Sequence, residues 1–281
     1  MKPAQQMARP LAVAHLTALE FAPVPWVRLA ARAGFKGVGL RMHPATPDGV
    51  SWPVMAGTAA HRELREVMAG EGVAVLDVEF IPVVPTLDPA SFVPLFEAAA
   101  SLGARCVSVS GDDADAARLA ANLAALAGLA QPFGLRIDLE FMRWRHVGTL
   151  AQARAAIERA AHPNLALVID ALHLSRAGST PQDVAALPPA SIGIVQLCDA
   201  PATLPSSDDE AIHEARTARL APGDGALPLD ALLRALAPDV ALSVEMPMPS
   251  LPAHERIDLA YRGARRVVER AAAVAHATPA F

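Results

Sequence analysis

A single (β/α)8 barrel of the TIM type is the fold that this sequence predicts, and three observations predict it. Eight short runs of β-forming residues recur along a chain of 281 residues. Alanine- and leucine-rich stretches with apolar residues near a spacing of 3.6 fill the gaps between them. Strands that alternate with helices imply a parallel sheet covered by helices. The competing open, doubly wound sheet would carry GxGxxG or GxxxxGK(S/T) after an early strand, and neither motif occurs.

The strands read in order as LAVAHLTA (11–18), GVGLRM (37–42), VAVLDVEFI (73–81), CVSVS (106–110), LRIDLEF (135–141), LALVID (165–170), IGIVQL (192–197) and VALSVE (240–245). AARLAANLAALAGLA and LDALLRALA are the clearest helical stretches between them. Glycine stands ahead of incoming strands in ARAGFKGVGL and GEGVAVL, where it ends the preceding helix. MKPAQQMARP followed by LAVAHLTALEFA loosely resembles a leader peptide, but His15 and Glu20 interrupt the apolar run and no convincing A-x-A site follows. The run reads better as the first barrel strand.

No linker or composition break divides the chain, so residues 1–281 are expected to form one domain. The longest irregular stretch is CDAPATLPSSDDEAIHEARTARLAPGDGALP, after the seventh strand. Loops of that length in a compact domain are usually functional. Its SSDDE piece reads as a solvated turn. HERIDLAYRGARRVVERAAAVA is the closing amphipathic helix, with its arginines on the surface.

Hydrophobic residues make up 53% of the chain and charged residues 19%, a balance that excludes disorder. A formal net charge of −5 gives no electrostatic footprint for nucleic acid. No run reaches the roughly 18 apolar residues that a membrane span needs. Cys106 and Cys198 belong to no CxxC pair and make no disulfide framework, so a reducing, cytoplasmic setting is expected. The oligomeric state is left open.

Active sites of such barrels lie at the C-terminal strand ends. The fifth strand ends in Glu140 of IDLEFM, the sixth in Asp170 of VIDALH, and the eighth in Glu245 of SVEMP, while the seventh carries Gln196 of VQLCD. Three carboxylates and an amide oxygen thus converge from four successive strands. Carboxylates that close repel one another unless a cation sits between them. Oxygen donors favour a hard divalent ion, Mn2+ or Mg2+, with Co2+ or Zn2+ as alternatives. His173 follows Asp170 by three residues. It is expected beside the metal, in the loop leaving the strand, without being a ligand. Taken alone, Asp170 could simply cap a helix.

On LEF with Glu140, IDALHLSRAG, VQLCD, ARTARLAPGDG and SVEMP, the chain resembles the sugar phosphate isomerase/epimerase superfamily of xylose isomerase-like barrels. The resemblance covers nearly the whole chain. It implies one divalent metal held by Glu140, Asp170, Gln196 and Glu245, with Glu140 and Glu245 as bases. Keto-sugar epimerases of this kind commonly have His at the third position. Hydroxypyruvate isomerases and dehydratases of dehydroshikimate or inosose can have Gln. Endonuclease IV shares the barrel but needs a histidine-rich trinuclear zinc site, which is not visible here.

The expected substrate is a small polyhydroxy carbonyl compound. A metal that chelates a carbonyl and its neighbouring hydroxyl stabilises the enediolate left when the α-proton departs, and a nearby carboxylate can act as base. Epimerisation, isomerisation and dehydration with His173 as acid all remain open, as does a barrel that only binds a sugar. Further substrate contacts are expected from Arg41 and Glu79 (unless they merely pair at the surface) and from Arg216 and Arg219 of the long loop. That loop is expected to close over substrate, and replacing Arg219 is expected to disturb kinetics more than folding. His146 and His213 read as surface residues.

Overall fold

The computed structural model describes residues 9–277. Residues 1–8, the basic start of the leader-like pattern, lie outside the described residues. Eight parallel strands close into a barrel in sequential order. They are β1 (Leu11–Val13), β2 (Gly37–Arg41), β3 (Ala74–Val83), β4 (Cys106–Gly111), β5 (Arg136–Glu140), β6 (Leu165–Asp170), β7 (Ile192–Leu197) and β8 (Ala241–Val244). β1 pairs with both β2 and β8, which seals the ring and leaves no free edge.

The helices are α1 (Pro23–Ala33), α2 (Ala59–Glu71), α3 (Val93–Ser101), α4 (Ala116–Ala130), α5 (Leu150–Ala160), α6 (Ala171–Arg176), α7 (Pro181–Ala185), α8 (Asp208–Thr217), α9 (Leu229–Arg234) and α10 (Ala253–Ala277). Local chemistry sets their ends. Gly34 (φ 108°) and Gly72 (φ 65°) stop α1 and α2 in the left-handed conformation, as the glycine pattern predicts. Asp115 caps α4, and Thr149 with Gln152 forms a capping box on α5.

The strand period of two divides the core. One set of strand residues, including Val38, Leu40, Val107, Val109, Ile137, Leu139 and Val195, packs against helix residues such as Trp26, Leu64, Phe96 and Leu123. Ala12, Leu76, Cys106 and Ile194 form a small separate cluster. The remaining buried strand positions are unusually polar, with Asp77, Glu79, Ser108, Asp138, Glu140, Gln196 and Ser243 among them. A Cβ at Gly39 would collide with the Glu79 carboxylate, so a glycine on β2 makes room for an acid on β3.

Three expectations are corrected. The first strand stops at Val13, and residues 15–18 form a 3-10 turn that brings His15 into the core. The stretch after β7 is not irregular: it contains α8, whose start is capped by Ser207. SSDDE therefore places Asp208, Asp209 and Glu210 in a first helical turn, where negative charge meets the positive end of the helix dipole. Asp199 orders the return of this segment by accepting from the amides of Gly223 and Leu227, each at 2.9 Å. In α10, Arg256 is buried and pairs with Glu20 instead of lying on the surface.

Candidate active site

The barrel register brings the four predicted oxygen donors to one mouth. Glu140 ends β5, Asp170 ends β6, Gln196 lies on β7 opposite Asp170, and Glu245 follows β8 directly. All four are buried, with exposures of 0–5%. Glu140, Gln196 and Glu245 line a cavity of about 190 Å³ together with His173.

Asp170 serves both readings of its sequence. Its Oδ1 accepts from the His173 amide at 2.9 Å, capping α6, while its Oδ2 pairs with Arg219 Nη1 at 2.5 Å. His173 accordingly sits in the first turn of α6 and not in a loop. Its Nε2 stands 3.7 Å from Glu140 Oε1, and its ring packs edge-on to Trp144 at 5.2 Å. The ligand atoms of Glu140, Asp170 and His173 lie within 4.8 Å of one another. His173 thus joins the closest group of potential donors, from which the sequence reading keeps it apart.

Glu245 turns the other way. Its Oε2 pairs with Arg219 Nη2 at 2.8 Å, and its Oε1 is 3.4 Å from Gln196 Nε2. Arg219 is only 1% exposed, and its Nε donates to the Ala215 carbonyl at 2.8 Å. The protein therefore already occupies each arm of this guanidinium. Arg219 lies at the site, as the sequence reading expects, and it is bound there as a bridge between Asp170 and Glu245. Removing it would leave two buried acids unpaired, which points to a stability cost that the sequence reading did not expect.

The charges do not balance. Three buried carboxylates face one guanidinium here. Burial pushes Glu140 well above the usual carboxylate range, and the nearby Glu245 and Asp170 push it further. Burial likewise raises Glu245 to about 7 against the pull of Arg219. Burial would raise Asp170 too, but Arg219, His173 and the His173 amide outweigh it and hold this acid below its ordinary value. Burial lowers His173 to about 4, so its ring is neutral at pH 7. Glu140 Oε1, Gln196 Oε1 and His173 Nδ1 are buried without a hydrogen-bond partner. Orphaned oxygens beside excess negative charge suit a hard divalent cation, so the residues present fit such an ion.

Arg41 and Glu79 do pair, at 2.9 Å, but in the cavity wall and not at the surface. His15 supports them from behind. Its main-chain N–H donates to Glu79 Oε1 at 2.9 Å, and its ring Nδ1 accepts from the Arg41 amide, also at 2.9 Å. Arg216 lines the same cavity from the last turn of α8. His146 and His213 are exposed, as read. Sequence reasoning missed Trp144 and Arg145, which line the cavity from the segment after β5. The available signal was MRWRH, a basic and aromatic run beginning two residues past a strand-end glutamate.

Comparison with known proteins agrees with this architecture. Residues 27–270 match the xylose isomerase-like TIM barrel family. No curated protein matches the sequence. Among solved structures, an IolI protein with a bound zinc atom superposes with a TM-score of 0.75 at 22% identity, covering 93% of this chain and 98% of that one. An L-ribulose 3-epimerase superposes at 0.73 with 18% identity, covering 98% and 99%. A xylose isomerase-like TIM barrel/4-hydroxyphenylpyruvate dioxygenase fusion protein gives 0.79 at 23% identity over 98% of this chain, which spans 45% of the fusion's length. Identities this low establish a shared fold and nothing finer. The family match, by contrast, runs through seven of the eight strands and every predicted site residue, and on that ground this chain belongs to the xylose isomerase-like TIM barrel family.

Proposed function

We propose that the chain is a divalent-metal-dependent isomerase or epimerase acting on a keto-sugar or a related small polyhydroxy carbonyl compound. The observation that carries this reading is the buried set of Glu140, Asp170 and Glu245 around a single guanidinium, with Glu140 Oε1 and Gln196 Oε1 lacking partners. Glu140, Asp170, Gln196 and Glu245 would hold the ion, Mn2+ or Mg2+ by the hardness of their oxygens. Bound there, a divalent ion would polarise a substrate carbonyl and the adjacent hydroxyl.

Glu140 or Glu245 then takes the proton from the carbon next to that carbonyl. Return of a proton by the other glutamate, from the opposite side, inverts the centre. Return to the neighbouring carbon isomerises the compound. Arg219 positions Glu245 and Asp170 through its two arms. Trp144 packs edge-on against His173, and apolar Leu16, Leu19 and Met142 also line the cavity, where they limit water.

Dehydration is the second reading, and His173 is the observation that favours it. This buried histidine lies against Glu140 with an unpartnered Nδ1, where it can act as a proton carrier for a departing hydroxyl.

Elemental analysis followed by solvent-deuterium exchange over ketoses, hydroxypyruvate, inosose and dehydroshikimate tests the proposal. About one metal per chain and label entering one compound are expected. Glu140→Gln and Glu245→Gln should each weaken metal binding and abolish exchange. Absence of Mn2+ and Mg2+ binding in the native chain would refute the metal assignment.

A further inference from the structure

β2 loses its neighbour halfway. β1 pairs with it only at Ala12–Gly37 and Val13–Val38, because the chain then turns into the 3-10 segment at residues 15–18. Two side chains finish the ladder. Trp26 Nε1 donates to the Gly39 carbonyl at 3.1 Å, and His15 Nδ1 accepts from the Arg41 amide at 2.9 Å. Buried backbone groups need partners, which accounts for a polar side chain at position 15. It does not account for what the turn does with the His15 main chain. A continued strand would commit the His15 N–H to the ladder; the turn frees it, and it donates to Glu79 Oε1 at 2.9 Å.

His15 thus holds both members of the Arg41–Glu79 pair, one through its ring and the other through its main chain. The ring has little freedom. It is wholly buried, stacks on Trp26 at 5.3 Å with the planes 7° apart, and meets the Phe21 carbonyl through Nε2 at 2.9 Å. An amide donor at Nδ1 and a carbonyl at Nε2 allow one neutral tautomer, with its hydrogen on Nε2. Burial favours the neutral ring and lowers the pKa of His15 to about 4 despite Glu79.

A buried ion pair is a weak source of stability, and well-packed apolar residues are often as good. Stability therefore does not explain an ion pair buried together with a histidine that fixes it. Its position does, because Arg41 and Glu79 line the cavity. Arg41 engages Glu79 Oε2 with Nε and Nη2, at 3.1 and 2.9 Å. Its Nη1 has no partner among the described residues and is not one of the unpartnered atoms sealed from solvent. Arg41 is only 7% exposed, so the cavity it lines supplies that access.

We propose that His15 is a positioning residue, which fixes the Arg41–Glu79 pair so that the free arm of Arg41 is presented to the cavity in one orientation, as a hydrogen-bond donor to a substrate oxygen. The substrate rests on the function proposed above; the fixing of the pair does not.

NMR of the 15N-labelled chain and two replacements of the ring test this. In the native chain His15 should show an unprotonated Nδ1 and a protonated Nε2. His15→Gln can still donate to the Phe21 carbonyl but offers no acceptor near Nδ1, whereas His15→Asn offers an oxygen there and gives up Phe21. Hydrogen exchange at Arg41 Nε–H should quicken about tenfold in His15→Gln, on the order of one hydrogen bond to a charged group. His15→Asn should recover most of that protection. On whichever of a ketose, hydroxypyruvate, inosose or dehydroshikimate takes up solvent deuterium, KM should rise about tenfold in His15→Gln, with kcat within about threefold of native. His15→Asn should bring KM back toward the native value. A ring that merely anchors the turn would instead make the two variants alike, or His15→Asn the worse. That ranking, a protonated Nδ1 in the native chain, or a KM unmoved by His15→Gln would overturn the inference. The tautomer needs no variant, so refutation stays possible even if neither variant folds. Failure of the proposed function shows separately, as no label on any probe with the native chain, while the NMR results still decide whether His15 fixes the pair.

Discussion

Arg219→Met removes the bridge between Asp170 and Glu245 while keeping an unbranched stem of similar reach. Both acids are buried, at 0% and 5% exposure, and their distances to the guanidinium are 2.5 and 2.8 Å. Breaking a buried ion pair from one side typically costs about 3–5 kcal/mol, since the remaining charge stays desolvated. For a chain of 281 residues that corresponds to a fall in Tm of roughly 5–8 °C.

The cost should depend on pH. In the native chain Asp170 is held below its ordinary pKa by Arg219 despite burial. Its contribution is therefore present above the unfolded pKa near 4 and is lost as pH falls through the lower folded value. Without Arg219 the acid is raised instead, and its penalty grows as pH rises above about 4. The deficit of Arg219→Met measured by urea unfolding in EDTA should accordingly be larger at pH 8 than at pH 5. Added Mn2+ should recover part of it, by about 2.7 kcal/mol at a hundredfold excess over Kd. A loss below about 1 kcal/mol, the same at both pH values and unmoved by metal, would refute the view that Arg219 neutralises this site.

If the reaction is dehydration, His173→Ala should lower turnover on the order of 10²-fold while changing Mn2+ affinity less than tenfold; a larger fall in affinity would make His173 a ligand. Asp77 is buried on β3, accepts a hydrogen bond from Ser108 at 3.0 Å, and is raised well above its ordinary pKa by burial and then by Glu79. The native chain therefore loses stability as pH rises from the unfolded value near 4 through the folded one. Asp77→Asn should be close to neutral at pH 4 and stabilising at pH 8, and urea unfolding that shows no such divergence would count against it. Asp208→Ala with Asp209→Ala should cost no more than about 1 kcal/mol and leave turnover intact, because the Asp208–Arg143 pair is solvent-exposed. A large loss of activity would give this acidic turn a direct role in the site.

How much of this was legible in the sequence differs from one element to another. β6 and β7 coincide with LALVID and IGIVQL, and Gly34 and Gly72 stop their helices where the pattern places them. Such features depend on neighbouring residues alone: apolar runs, left-handed glycine and helical spacing act over a few positions. Glu140, Asp170, Gln196 and Glu245 were likewise legible as strand ends, because a parallel barrel gathers those ends whatever its helices do.

Partnership was not legible. Arg219 and Asp170 are 49 residues apart, and Arg41 and Glu79 are 38 apart. Sequence can offer arginines near a mouth, but only barrel closure, the β2–β3 register and the return of the segment after α8 choose their acids. The same holds for Asp170, whose spacing to His173 encodes the helix cap while its second oxygen was free for any cation that folding delivered. Arg216 and Arg219 lie three residues apart on one segment, yet one ends buried between two carboxylates and the other lines the cavity with none. Local sequence determined that both positions carry a positive charge. Electrostatics is long-ranged and depends on who stands opposite, so tertiary structure alone decided which charge is spent inside the protein and which, among the described residues, stays without an acidic partner.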